Sequence, residues 1–187
     1  MKTFLRSASE LDAGKIALLV NRAYRPLPHE RGWTHEADLV TGRRTTEEQV
    51  LSLFCSQSSI LVAHQDAEIV ACVHVKASEC SAEIGMLAID PGYQTKGLGK
   101  LMLECAERHA MEQFGATVFN ISVLSSRLEL IAFYERRAYI RTGQTMAYPV
   151  SAGVGEPMVD GLRVETMTKK MGAASRIIDN PPEPLPE

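Results

Sequence analysis

The chain has 187 residues, 45% of them hydrophobic, which suits one compact domain with a full core and leaves little room for two. Charged residues make up 23% and the formal net charge is -3, so no global attraction exists for nucleic acid or an anionic membrane; neither is expected as a partner, and any anion site has to be local. Cys55, Cys72, Cys80 and Cys105 fall singly, without CxxC spacing or a metal-ligand pattern of histidines, so a reduced protein with no metal is expected.

Met1-Lys2-Thr3-Phe4-Leu5-Arg6 meets charge too early for the apolar core of a signal peptide. No uninterrupted apolar run approaches the roughly 20 residues of a membrane span. A soluble, cytoplasmic protein is the expectation.

Lys2 to Ser7 reads as a first strand. Ser9 can cap a helix whose apolar positions Leu11, Ile16, Leu19, Val20 and Ala23 recur at near-helical spacing and which Pro26 stops. Arg25 to Thr46, with Pro26, Pro28, Gly32 and Gly42, reads as a long loop that holds the only tryptophan, Trp33. Long loops in compact domains are usually functional or disordered. Thr46 can cap a second helix carrying Val50, Leu51 and Phe54, with Glu47 and Glu48 suited to its positive first turn. Ile60 to Ala63 and Ile69 to Lys76 read as a hairpin joined through Gln65-Asp66, and Ala82 to Ile89 as a strand closed by Asp90-Pro91-Gly92.

From Gly97 onward, Leu98, Leu101, Met102, Cys105, Ala106 and His109 mark one face of a long helix that Gly115 ends. Thr117 to Leu124 is a strand rich in β-branched residues. A helix from about Ser126 to Arg137, a strand from Tyr139 and a last strand from Leu162 to Thr168 follow. Asn180 to Glu187, with its prolines, cannot bury much surface, which sets one domain at 1–171 and a flexible tail at 172–187. Alternating strands and helices between antiparallel hairpins predict a mixed α/β sheet flanked by helices.

The segment Gln94-Thr95-Lys96-Gly97-Leu98-Gly99-Lys100, between a strand and a long helix, is suited to a phosphate chain. Gly97 and Gly99 let a ligand approach the backbone, the first helical N–H groups lack internal partners, and the helix dipole favours an anion. Lys96 and Lys100 add positive charge. A Walker loop would need Lys and then Ser or Thr where Leu98 and Gly99 stand, and a dinucleotide fingerprint would need glycine at Met102.

The pattern that matches is Gln/Arg-x-x-Gly-x-Gly/Ala. With Leu87-Ala88-Ile89-Asp90-Pro91 before it and Phe133-Tyr134-Glu135-Arg136-Arg137 after it, the segment from about 60 to 142 resembles the GNAT superfamily of N-acetyltransferases. The resemblance implies the GNAT fold, a mixed, mostly antiparallel, twisted sheet of about seven strands with a splayed central parallel pair. It implies acetyl-CoA as co-substrate, its pyrophosphate on the turn, and cofactor contacts at Leu87, Ala88, Ile89, Gln94, Thr95, Lys96, Gly97, Leu98, Gly99, Lys100, Asn120, Arg127, Phe133 and Arg137. Main-chain N–H groups at Leu87 and Ile89 would serve the thioester carbonyl, with the strand near Asn120 to Val123 completing the pantetheine slot.

Acetyl transfer needs a neutral amine, and hence a base. Glu83, in Ala82-Glu83-Ile84-Gly85-Met86-Leu87-Ala88, stands where histone-acetylating members carry their glutamate and would act through a water, on a strand face shared with Gly85 and Leu87. The alternatives are that Glu83 is a solvent-facing charge or that His74 is the base. Tyr134 resembles the family's general acid, and it can also pack on the core with Leu130. The acceptor, a primary amine of a small molecule or peptide, would be walled by Tyr24, Trp33, Thr34, Glu36 and the segment around Tyr148; Trp33 can equally anchor its loop. Glu79 and Glu83 would favour a cationic amine. The protein is expected as monomer or homodimer, and the competing class is a CoA-binding sensor without turnover. Two departures stand out. Arg127 replaces an asparagine common in relatives and is either a phosphate contact or a surface charge, and Ala138 replaces a glycine at a helix end that favours left-handed backbone.

Overall fold

In the computed structural model the described residues are 3–30, 32–33 and 35–171; Thr34 and the predicted tail at 172–187 lie outside them. The elements run β1 (Thr3–Ser7), α1 (Ala13–Tyr24), β2 (Val40–Thr41), α2 (Glu47–Leu51), β3 (Ser58–Gln65), β4 (Glu68–Ser78), β5 (Ser81–Ile89), α3 (Leu98–Phe114), β6 (Val118–Leu124), α4 (Leu128–Glu135), β7 (Ile140–Ala147), β8 (Glu156–Pro157) and β9 (Arg163–Lys170). Seven strands form one sheet in the order β1-β3-β4-β5-β6-β9-β7, antiparallel at every step except the parallel pair β5-β6. This is the predicted GNAT architecture. Among the described residues no helix is long and apolar enough to cross a membrane.

Local chemistry sets most boundaries. Ser9 starts a single turn over Glu10–Asp12, and α1 itself begins after it. Thr46 caps α2 as predicted: the Gln49 N–H donates to Thr46 Oγ1 at 3.2 Å and the Thr46 N–H to Gln49 Oε1 at 2.9 Å. The ribbon β2-β8 has no counterpart in the predicted elements, because two residues carry no readable period; it ties the loop after α1 to the segment before β9.

Period-two alternation divides the core. Leu61, Ala63, Ala71, Val73, Ala82 and Ile84 pack under α3 and α4, while Ile60, Val62, Ile69 and Cys72 face α1 and α2. On α3 the buried stripe is Met102, Leu103, Cys105, Ala106, Glu107 and Ala110, so it is rotated from the predicted face and leaves Leu101 exposed. Glu107 can lie there because the Tyr139 hydroxyl donates to it at 3.0 Å and Lys169 Nζ at 2.6 Å.

Two irregularities in β5 open the sheet. Its pairing with β6 covers only Ser81↔Val118, Ala82↔Phe119 and Glu83↔Asn120, after which the two strands part. On its other side the register with β4 jumps from His74↔Gly85 to Cys72↔Ala88, so Met86 and Leu87 oppose Val73 alone, and Met86 sits at φ 50. The bulge flips the alternation. Leu87 and Ile89 turn towards α3, whereas Met86 and Ala88 turn towards α1. Glu83, alternating with buried Ala82 and Ile84, therefore shares its face with Gly85 and not with Leu87, which corrects the predicted strand face.

Candidate active site

The turn after β5 is built from its own side chains. The Asp90 carboxylate accepts from the Gly92 N–H at 2.9 Å and pairs with Arg22. Gln94 is buried; its Nε2 donates to Ile89 O at 3.1 Å and its Oε1 accepts from the Trp33 N–H at 3.0 Å. Lys96 Nζ donates to Gly92 O at 3.2 Å. The side chains of Gln94 and Lys96, both predicted to meet a phosphate, thus brace the turn. What the turn presents is main chain: the N–H groups from Thr95 to Lys100 donate to no acceptor among the described residues.

Backbone conformation explains how those amides are turned outward. Thr95 has φ 65 and Gly97 φ 81, two left-handed residues immediately before α3. A Cβ at Gly97 would meet nothing within 4 Å, so its glycine serves the dihedral angle, not space. Gly99 differs: a Cβ there would only touch Phe133 at 3.7 Å and Ile89 at 3.8 Å. Lys100 lies near Glu104 at 3.7 Å on the exposed side of α3.

Tyr134 comes to the opening from α4. It is buried, stacked edge-on against Phe133 and Tyr139 with ring centroids 5.2 and 5.8 Å away, and its hydroxyl has no hydrogen-bond partner among the described residues. Burial raises its pKa well above the ordinary value, with the charges of Tyr24, Arg127, Glu36 and Arg137 as smaller influences. Tyr24 comes from α1, on the other face of the sheet, and donates its hydroxyl proton to Leu87 O at 3.1 Å. Burial also pushes Tyr24 up, to about 12.

Glu83 is exposed on the α1 side, in a groove of about 540 Å³ that also holds Asn120 and Ser122. A smaller cleft adjoins it through Ser122 and is lined by Glu36, Arg44 and Tyr148. Glu36 pairs with Arg25 at 2.9 Å. His74 is on the same face; its ring meets Ser58 Oγ at 2.8 Å, and because that hydroxyl donates to Leu53 O at 2.6 Å, His74 Nε2 is the donor. Burial lowers the His74 pKa to about 4, so the ring is neutral near pH 7.

Arg127 is buried and is not a surface charge. Its buried guanidinium donates to His35 O at 2.7 Å and Trp33 O at 3.1 Å and pairs with Glu129, holding the loop after α1 onto the start of α4. Trp33 packs its ring 6.0 Å from that of Phe133 and bonds Gln94, so it lies against the turn side of the opening; Tyr24, Glu36 and Tyr148 form the other side. Arg137 lies 3.5 Å over the Phe133 ring, and its buried Nε has no partner among the described residues. Arg44 was missed, since nothing local marks a loop arginine that lines a cleft only after the loop is docked.

The sequence profile of the acetyltransferase (GNAT) family matches residues 19–139, more than half of the chain. The fold is similar to that of the ribosomal-protein-S18-alanine N-acetyltransferase from Escherichia coli, with a TM-score of 0.68 and 17% identity over 95% of this chain and 99% of that one. It is also similar to the PaiA N-acetyltransferase from Thermoplasma acidophilum in complex with coenzyme A, with a TM-score of 0.68 and 18% identity over 91% of this chain and 99% of that one. A GNAT family acetyltransferase from Elizabethkingia anophelis with acetyl-CoA bound has a TM-score of 0.62 and 15% identity over 90% of this chain and 98% of that one. No protein of curated function matches the sequence. With the profile spanning the turn, the splayed strands and Tyr134, the chain belongs to the GNAT family of acetyltransferases.

Proposed function

We propose that the protein moves the acetyl group of acetyl-CoA to a primary amine of a small molecule or peptide, by direct attack in a ternary complex. The observation that carries this reading is the run of main-chain N–H groups from Thr95 to Lys100 without acceptors, a fit for a diphosphate at the start of a 17-residue helix. Bound acetyl-CoA supplies a thioester whose C–S bond breaks as the C–N bond to the amine forms.

The protein's residues would manage protons and position. Glu83, through one water in its groove, takes the proton lost by the amine. Tyr134 gives its proton to the departing sulfur; burial keeps it protonated at any working pH, as a donor must be. His74, neutral on the same face as Glu83, is the second candidate base. The cofactor would lie along Leu87, Ala88, Ile89 and the edge of β6 near Asn120, with Phe133 and Arg137 beside it.

A thiol-release assay over a panel of amines, with CoA binding measured in parallel, tests the proposal. Tyr134→Phe should slow turnover by about 10² to 10⁴ with CoA affinity retained. Gly97→Glu should abolish CoA binding. Tight CoA binding with no thiol release on any amine would instead favour the sensor reading.

A further inference from the structure

The cleft beside the opening carries a cation that has no ion-pair partner among the described residues. Among the described residues Arg44 makes no ion pair and its guanidinium makes no hydrogen bond; it stacks over the Tyr24 ring, 5.3 Å from the centroid. The neighbouring Glu36 is already taken by Arg25, and the Nε of Arg25 is itself buried without a partner among the described residues. Two guanidiniums thus stand by one carboxylate, Arg44 lining the cleft with Glu36, Ser122 and Tyr148 and Arg25 behind it on Glu36 and Val154 O, in a chain whose net charge is -3. A half-buried charge left unpaired loses hydration without recovering it, unless a ligand brings the counter-charge.

Arg44 is also held in place. The side chain of Asn21 accepts from the Arg44 N–H at 2.7 Å and donates to Thr45 O at 2.8 Å, locking the backbone of this loop to α1. The Tyr24 ring under Arg44 ends in the hydroxyl that donates to Leu87 O at the splay. One tyrosine therefore separates the spare cation from the strand position where acetyl transfer is proposed, a separation suited to an amine and an anionic group within one small molecule. Arginine in a fixed position recognises a planar carboxylate through paired N–H groups.

We propose that Arg44 determines acceptor specificity, and that the acceptor is a small amine carrying its own carboxylate, as a free amino acid does. This rests on the acetyl-transfer reading of the same site.

The test compares free L-amino acids with their carboxamides and the corresponding aminophosphonates, in wild type, Arg44→Met and Arg44→Lys. Wild type should prefer one or more acids over the matching amides by about 10- to 100-fold in kcat/KM, and Arg44→Met should bring that ratio close to one. Arg44→Lys should recover only part of it, and a preference for the phosphonates would replace carboxylate by a bulkier anion and overturn the carboxylate assignment. Equal use of acids and amides by wild type, or a ratio unmoved in Arg44→Met, overturns the proposal. Calorimetric titration of the same compounds into the CoA-bound protein gives a second readout. If no amine releases thiol, acetyl transfer to small amines fails, while loss of acid binding in Arg44→Met still supports the Arg44 site and its retention sinks it.

Discussion

Tyr24 and Leu87 belong to elements on different layers, yet the Tyr24 hydroxyl donates to the Leu87 carbonyl at 3.1 Å, just past the bulge at Met86. The bond satisfies a carbonyl at the bulge and fixes the strand where the β5 main chain leaves its ladders. Since burial pushes Tyr24 up to about 12, the hydroxyl remains a donor at every working pH. Tyr24→Phe keeps the ring and removes the donor. It is expected to cost about 1 to 3 kcal/mol of stability in urea unfolding, the penalty of an unmet carbonyl, and to lower kcat. An unchanged unfolding midpoint together with unchanged turnover would show that the bond matters to neither.

Arg127 ties down the loop after α1. Arg127→Met should leave His35 O and Trp33 O without their donor and speed amide hydrogen exchange across 35–40, with a cost of about 1 to 3 kcal/mol. Arg127→Lys should rescue little, because one ammonium does not reproduce a fork spanning two carbonyls. Exchange rates equal to wild type in both variants would assign the loop's order to other contacts.

Much of this site could be read from residue types. The turn needed only glycines before an amphipathic helix, and Thr46 and Gly115 cap helices where their chemistry says they should. The bulge was invisible because its left-handed residue is Met86, not a glycine, and the face of Glu83 relative to Leu87 was misjudged as a result. The loop after α1 was legible as a loop but not in its docking, which depends on Arg127 and Gln94, residues about 60 to 90 positions away in the chain. Arg44 escaped for the same reason: its meaning comes from which charges lack partners, a property of the folded cleft.

Ala138 adopts φ 67 at the end of α4, where the Tyr139 N–H closes back onto Tyr134 O at 3.2 Å. A side chain in that conformation costs about 1 kcal/mol, and Ala138→Gly relieves it, partly offset by the greater freedom of glycine in the unfolded chain. The variant should be more stable by up to about 1 kcal/mol, raising Tm by about 2 to 4 °C for a chain of this size. A lowered Tm would mean that the Ala138 methyl makes contacts worth more than the strain.

Acid should destabilise the protein in two stages. His74, lowered to about 4 by burial, stays neutral in the folded state while the unfolded chain takes up a proton near 6.5, so stability falls as pH drops from about 6.5 towards 4. His64 and His109, also lowered by burial, add slope of the same sign. Asp12 behaves differently. Two hydrogen bonds of 2.8 Å from Arg6 hold its carboxyl well below the usual carboxylate range, so its contribution is complete above the unfolded value near 4 and is lost only as pH falls further. Urea unfolding across pH 7 to 3 should therefore show His74→Gln flattening the upper stage and Asp12→Asn the lower one. If His74→Gln leaves the upper slope intact, the ring is charged in the folded protein at pH 5, and the proposal of His74 as an alternative neutral base is lost with it.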